Sequence, residues 1–153
     1  MAMSQEELRE RLSAIEPTED TYRGIGADEV PMLRELLDDD EGWLAARAVF
    51  ALSRVDAPEA RDELRATVEH PREEVRVAAA AAAERLPVEQ SDPILSRLLE
   101  DSSVGVRKFA ITSVSQGSGP DVRAALDRVA RADSEHVLRS MAAQHAEGLR
   151  AGR

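Results

Sequence analysis

The sequence predicts an all-α fold, an α-α superhelix of about four helix pairs with an N-terminal capping helix. The first observation is an internal repeat, because the segments that begin at Leu44, Val75, Val106 and Leu138 align at offsets of 31, 31 and 32 residues. The second is that each segment carries the same apolar stripe of helical spacing. The third is composition: 42% of residues are hydrophobic but only 3% are aromatic, so small side chains must fill the core and helices can approach closely.

The totals limit the class of protein. A chain of 153 residues fits a single domain, 1–153, and the absence of cysteine excludes disulfides and thiolate metal ligands. No apolar run approaches the roughly 20 residues of a membrane span. The first residues are charged where a signal peptide is apolar. We therefore expect a cytoplasmic protein without a membrane partner.

The net charge of −10 is unevenly distributed along the chain. Residues 1–41 hold 13 acidic residues against 4 arginines, whereas residues 42–153 hold 17 acidic against 16 basic residues. Because a phosphate backbone is bound by a basic face, this balance argues against nucleic acid as the partner. The acidic N-terminal edge is instead a candidate surface for another protein.

Residues 4–16 are predicted to form the capping helix. Ser4 followed by Glu7 has the spacing of a capping box, in which each side chain accepts the other residue's backbone N–H. Three apolar residues share one stripe at helical spacing. They are Leu8, Leu12 and Ile15. A terminal helix with a polar outer face would shield the first repeat from water.

Residues 17–28 are predicted to be a loop between the capping helix and the first repeat. Pro17 ends the helix, and two glycines at positions 24 and 26 favour an irregular backbone. We expect Tyr22 and Ile25 to pin this loop to the first repeat, because they are its large apolar side chains.

Four helix pairs follow the loop. The predicted repeats occupy residues 29–55, 59–86, 92–116 and 120–150. Asp92 before Pro93 predicts a helix start, since a capping acid would precede a proline at the first helical position. The segment 117–120, with Gly117 and Pro120 at its ends, predicts a clean break before the last pair.

An alanine column marks the predicted contact between helices. The stripe of each second helix follows the spacing i, i+4, i+8, i+11, without the last place in the third repeat, and its second place is alanine in every repeat. These residues are Ala48, Ala79, Ala110 and Ala142. A larger side chain there would push two closely packed helices apart.

Two further columns carry a family resemblance. A turn residue precedes each second helix, Asp39, His70, Asp101 or Asp133, and an apolar-Arg pair follows at Val75-Arg76, Val106-Arg107 and Leu138-Arg139. With its alanines, this pattern resembles the HEAT-repeat family over about residues 29–150, in particular the short repeats of bacterial and phycobilisome-lyase-like proteins. His70 departs from the family's turn Asp, and Ala45 replaces the Arg of the first repeat. The resemblance implies an armadillo/HEAT-type solenoid that serves as a binding scaffold.

The turn and Arg columns predict a structural ladder rather than a catalytic site. A turn Asp would cap the second helix at its positive end, and an Arg one turn later could reach the Asp of a neighbouring repeat. The expected pairs are Asp101 with Arg76 or Arg107, and Asp133 with Arg107 or Arg139.

No motif for catalysis, a cofactor or a metal is found. His136 and His145 are nine residues apart and lie on opposite helix faces, so they cannot share a metal through local spacing. The acidic run 38–41 lacks the ligand spacing of a calcium loop and fits a helix N-terminus, where the dipole favours acids. We expect His70 to cap a turn, and we predict that the protein is not an enzyme.

The remaining candidate is the outward face of the second helices, which in a curved stack would line a concave groove. The residues predicted to bind a partner are Trp43, Phe50, Val77, Ala81, Glu84, Lys108, Thr112, Ser140 and Gln144. Trp43 and Phe50 are either anchors for a partner, since aromatic residues dominate binding energy, or members of the core, where large apolar residues usually lie.

Three functions remain open from the sequence. The first is a non-enzymatic adaptor that binds another protein through the groove or the acidic N-terminal edge. The second, allowed by the resemblance, is a lyase- or chaperone-like accessory that acts on a tetrapyrrole or a partner enzyme. The third is a nucleic-acid-binding HEAT-like protein. A coloured ligand would distinguish the second, and a salt-sensitive gel shift the third.

Overall fold

A computed structural model describes residues 3–152, and all regular secondary structure in that range is helical. The α-helices are α1 (Gln5–Leu12), α2 (Glu19–Tyr22), α3 (Val30–Leu36), α4 (Gly42–Leu52), α5 (Pro58–Ala66), α6 (Glu73–Ala82), α7 (Val88–Leu98), α8 (Val104–Ser113), α9 (Pro120–Ala132) and α10 (His136–Arg150). Single 3₁₀ turns occupy Ala27–Glu29, Thr67–Glu69 and Ala83–Arg85. The helices from α3 to α10 follow one another in the order expected of four helix pairs.

The chain divides into two compact units, residues 1–79 and residues 80–153. The division separates charge as well as contacts. The first unit holds 20 acidic and 10 basic residues, and the second holds 10 of each. The whole net charge of the protein therefore belongs to the first unit.

Helix α1 begins as predicted and ends earlier than predicted. Ser4 and Glu7 form the capping box, with hydrogen bonds of 3.1 and 2.7 Å to each other's backbone N–H. The helix stops at Leu12, however, and Ile15 is 95% exposed, so its assignment to the buried stripe is wrong. The cause is Arg47, whose guanidinium takes the carbonyls of Leu12 and Ala14. Arginine thus satisfies the orphan acceptors of the helix C-terminus.

The segment 17–28 is held against the first repeat. Tyr22 and Ile25 are both buried, as expected, and the short helix α2 lies within the segment. Arg54, in the turn after α4, forms three hydrogen bonds with the Glu19 carboxylate, of 2.7, 3.0 and 3.3 Å. Its guanidinium also lies 4.1 Å from the centroid of the Tyr22 ring, so one side chain fixes both ends of α2.

Helix α7 begins before the predicted start at Pro93. It starts at Val88, and Pro93 lies inside it. The apolar pattern explains the error, because Ile94, Leu95 and Leu98 extend back to the buried Ser91 at helical spacing, and this burial outweighs the one hydrogen bond that proline cannot donate. Asp92 is free for another role, and its carboxylate accepts the N–H of Gly119 at 2.8 Å.

The alanine column is buried in all four repeats, as predicted. None of the four alanines is more than 1% exposed. The other stripe positions are buried too, except Leu86, which is half-buried because α6 ends at Ala82 and the tighter 3₁₀ turn changes the helical phase. Each repeat therefore packs its second helix through a side chain as small as alanine.

Enlarging this column is expected to destabilise the fold. Ala110→Leu inserts three carbon atoms into α8 where the side chain has no exposure, so we expect a loss of about 1–3 kcal/mol in the free energy of unfolding, measured by urea denaturation. Ala124→Leu, at an exposed position of α9, is the matched control. An equal loss in both variants would contradict close packing at Ala110.

Candidate functional site

The turn column has one local geometry in all four repeats. Each side chain accepts the backbone N–H of the residue two positions later. The acceptor–donor pairs are Asp39–Glu41 at 3.0 Å, His70–Arg72 at 3.1 Å, Asp101–Ser103 at 2.9 Å and Asp133–Glu135 at 2.9 Å. The prediction that Asp caps the second helix directly is wrong, because Glu41, Ser103 and Glu135 are themselves the N-cap residues. The turn side chain instead fixes the backbone that leads into the cap.

The arginine column closes each turn from the other side. In every case one guanidinium nitrogen donates to the carbonyl of the turn residue six positions earlier. The pairs are Arg76 to His70 at 2.9 Å, Arg107 to Asp101 at 2.9 Å and Arg139 to Asp133 at 2.6 Å. A turn therefore has its side-chain acceptor and its carbonyl satisfied from within its own repeat.

Arg107 also reaches the turn of the next repeat. Its Nε and second terminal nitrogen donate to the two carboxylate oxygens of Asp133 at 2.8 and 3.1 Å. The two side chains are only 11% and 4% exposed. Burial, the largest influence, raises the pKa of Asp133, but the hydrogen bonds from Arg107 and Glu135 and the charges of Arg107 and Arg139 outweigh it, so the net pKa is lowered.

The first repeat lacks the column arginine, and residues outside the column replace it. Ala45 is buried, and the carbonyl of Asp39 is instead bound by the guanidinium of Arg72. The Asp39 carboxylate pairs with Arg9 of α1. The N–H of Glu41, followed by the Arg9 hydrogen bond, lowers the pKa of Asp39. The capping helix thus supplies an ion pair to the first turn.

The acidic run and the histidines have local partners. Asp38 pairs with His70 at 3.0 Å, and Glu41 begins α4. His136 is exposed, whereas His145 is half-buried and donates to the Val114 carbonyl at 2.7 Å. Among residues 3–152, no group of three or more His, Cys, Asp or Glu is placed to hold a metal ion.

In the first unit, the predicted binding residues include an exposed aromatic side chain. Trp43 is 47% exposed, with the Arg47 guanidinium 5.5 Å from its ring centroid. Phe50, two turns later on α4, is half-buried, and so is Val77. The exposure of Ile15 was not predicted, because it follows from the early end of α1. Trp43 and Arg47 are four residues apart on α4, so helical spacing brings their side chains together.

In the second unit, the predicted residues lie on the outer faces of the helices. Lys108 and Thr112 are one turn apart on α8, and Ser140 and Gln144 are one turn apart on α10. All four are exposed, as is Glu84, and Ala81 is half-buried. Three exposed apolar side chains were missed, namely Val104, Phe109 and Val137. The repeat alignment could have indicated the exposure of Val137, because Val137 occupies the same column as Trp43.

No helix within residues 3–152 has the length and hydropathy that crossing a membrane requires. No curated protein matches the sequence significantly. Two solved structures match with a TM-score of 0.52, each over 93% of this chain and 80% of its own. One, 17% identical, is a designed armadillo repeat protein in complex with the peptide (KR)4. The other, 18% identical, is a computationally designed armadillo repeat protein for modular peptide recognition.

The structural likeness confirms the predicted fold class, an all-α helical solenoid. The model of a protein family described as HEAT repeats matches residues 30–102 and 71–147, which together make up more than half of the chain. The turn and arginine columns lie within the matched residues. The chain therefore belongs to the HEAT-repeat family.

Proposed function

We propose that the protein is a non-enzymatic scaffold that binds a segment of another protein through the surface around Trp43. The observation that supports this proposal is that the exposed Trp43 ring and the Arg47 guanidinium lie together on α4. HEAT and armadillo repeats are commonly used as protein-binding scaffolds, and both similar structures are described in terms of peptides.

The Trp43 surface has the composition of a binding hot spot. Trp and Arg are the residue types most enriched among side chains that dominate interface energies. Arg47 is preorganised, because the carbonyl of Leu12 accepts from its guanidinium at 2.7 Å. A side chain that is already ordered loses little entropy when a partner binds. Phe50 adds a half-buried aromatic ring on the same helix.

We further propose that the partner segment is basic. The first unit carries the whole net charge of −10. Asp40 and Glu41, both exposed, precede Trp43, and the Glu74 side chain lies against Gly42. Carboxylates beside an indole ring favour a lysine or arginine, whose stem packs on the ring while its charge meets the acids. The similar designed protein was solved with a peptide of this charge.

Tryptophan fluorescence tests this proposal directly, since Trp43 is the single tryptophan of the chain. Titration with (KR)4 is expected to change the emission to saturation, and the apparent affinity should fall as salt is raised. Trp43→Ala should weaken binding by at least tenfold in calorimetry, about the effect of losing one hot-spot side chain.

Two controls make this test specific. A glutamate-rich peptide of equal length should leave the emission unchanged. Val137→Ala removes an apolar side chain of 66% exposure from the second unit and should bind (KR)4 like the wild type. Equal weakening in both variants, or no response of the wild type to (KR)4, would contradict a basic-segment site at Trp43.

A further inference from the structure

The second repeat builds its turn with histidine where the other three use aspartate. His70 performs the same local task, since its Nδ1 accepts the backbone N–H of Arg72 at 3.1 Å. An imidazole nitrogen accepts only when it carries no proton, so this hydrogen bond requires an unprotonated Nδ1 and places the ring proton on Nε2. The Nε2–H donates to Asp38 at 3.0 Å, and the side chain is 11% exposed.

The two kinds of turn respond differently to acid. A carboxyl group keeps an acceptor oxygen in acid, since even its protonated form retains acceptor capacity. Histidine is the side chain whose charge ordinarily changes between about pH 5 and 8, and its charged ring carries a donor on both nitrogens. A proton on Nδ1 would point at the N–H of Arg72, so the turn could not keep this hydrogen bond.

Charged groups surround the ring on three sides. Asp38 follows α3, while Arg34 of α3 and Glu63 of α5 pair with each other in the cavity that the ring also lines. Arg72 and Arg76 reach the ring's neighbourhood from the α6 side. Asp38 accepts from Nε2–H whether or not Nδ1 is protonated. The bond that protonation removes is therefore the one to Arg72.

We propose that His70 is an acid-sensitive latch between the first and second repeats of the first unit. The Arg72 backbone is held by Nδ1, and the Arg72 guanidinium binds the carbonyl of Asp39 in the preceding turn. Loss of the Nδ1 bond frees the backbone of Arg72 and with it the link to Asp39. The turns built on Asp101 and Asp133 need no imidazole acceptor, because a carboxyl oxygen can accept whether or not the group carries a proton.

Hydrogen exchange of the Arg72 amide, compared between pH 7.5 and pH 5.5, tests this latch. In the wild type, protection relative to intrinsic exchange should fall about tenfold, the change expected for one lost hydrogen bond. In His70→Asn protection should not change, because the amide oxygen of asparagine accepts at both pH values. His136→Asn removes an exposed histidine and should behave like the wild type.

The ring signals of His70 in NMR provide the second measurement, and they need no variant. The latch is supported if protonation of the ring and loss of Arg72 protection follow the same titration. It is overturned if the ring stays neutral down to pH 5.5. It is also overturned if the ring is protonated while Arg72 stays protected, or if His70→Asn loses protection as the wild type does.

Discussion

Replacing Arg107 by alanine is expected to lower the free energy of unfolding by about 3–5 kcal/mol, because it removes the ion-pair partner of the nearly buried Asp133 carboxylate. The same change removes the donor that satisfies the carbonyl of Asp101. Urea denaturation followed by circular dichroism measures the loss.

The exposed pair Arg128–Glu100 is the matched control for this variant. Its nitrogen–oxygen distance of 3.0 Å is similar, but both side chains are more than half exposed. Solvent screening leaves such a pair worth below about 1 kcal/mol, so Arg128→Ala should be nearly neutral. Similar losses in the two variants would show that burial does not set the value of the Arg107 pair.

The pair also predicts the direction of a pH effect. The pKa of Asp133 is lowered in the folded protein from its ordinary value of 3.8. The contribution of the pair is therefore present above that value and is lost as the pH falls through the lower pKa of the folded state. We expect the wild type and Arg107→Ala to differ at neutral pH and to converge in strong acid.

Leu12→Ala is expected to cost about 2–5 kcal/mol, because Leu12 is fully buried and truncation leaves a cavity beside α4. Leu12 is also the last residue of α1, and its backbone carbonyl accepts a hydrogen bond from Arg47. The loss should therefore loosen the Trp43 surface as well as the capping helix. Thermal unfolding and the exchange of α1 amides measure the two effects.

Ile15→Ala is the control for Leu12. Both residues were assigned to one apolar stripe, but Ile15 is 95% exposed, and its truncation should change stability by less than about 0.5 kcal/mol. A large loss at Ile15 would mean that the helix continues past Leu12 and that the stripe prediction was correct.

The comparison of Leu12 with Ile15, two positions of one predicted apolar stripe, shows what sequence periodicity can predict. Spacing identifies which residues share a face of a helix, and it correctly placed Leu8, Leu12 and the alanine column in the core. It cannot predict where a helix ends when the terminating group is distant. Arg47 lies 35 residues after the Leu12 carbonyl that it binds. The preference of proline for the first turn of a helix predicted the wrong helix start at Pro93 for a similar reason, because burial of the apolar face of α7 outweighed that preference.

The candidate site was predicted in part. The sequence pointed to the residues of the turn and arginine columns, and the structure places Arg107 and Asp133 in contact. It did not indicate that the turn residue accepts the N–H two positions later, or that each arginine donates to the main-chain carbonyl of its own turn. Those hydrogen bonds depend on the backbone geometry of the turn, which residue spacing does not determine.

The self-contained turns have an evolutionary consequence. In the second, third and fourth repeats the turn side chain and the column arginine satisfy polar groups of the same repeat. A gene duplication that copied such a stretch would carry these two partners of its own turn with it, whereas the ion pair between Arg107 and Asp133 joins neighbouring repeats. The first repeat is different, because its turn depends on Arg9 before it and Arg72 after it. Duplication of a later repeat should therefore require fewer compensating mutations than duplication of the first repeat.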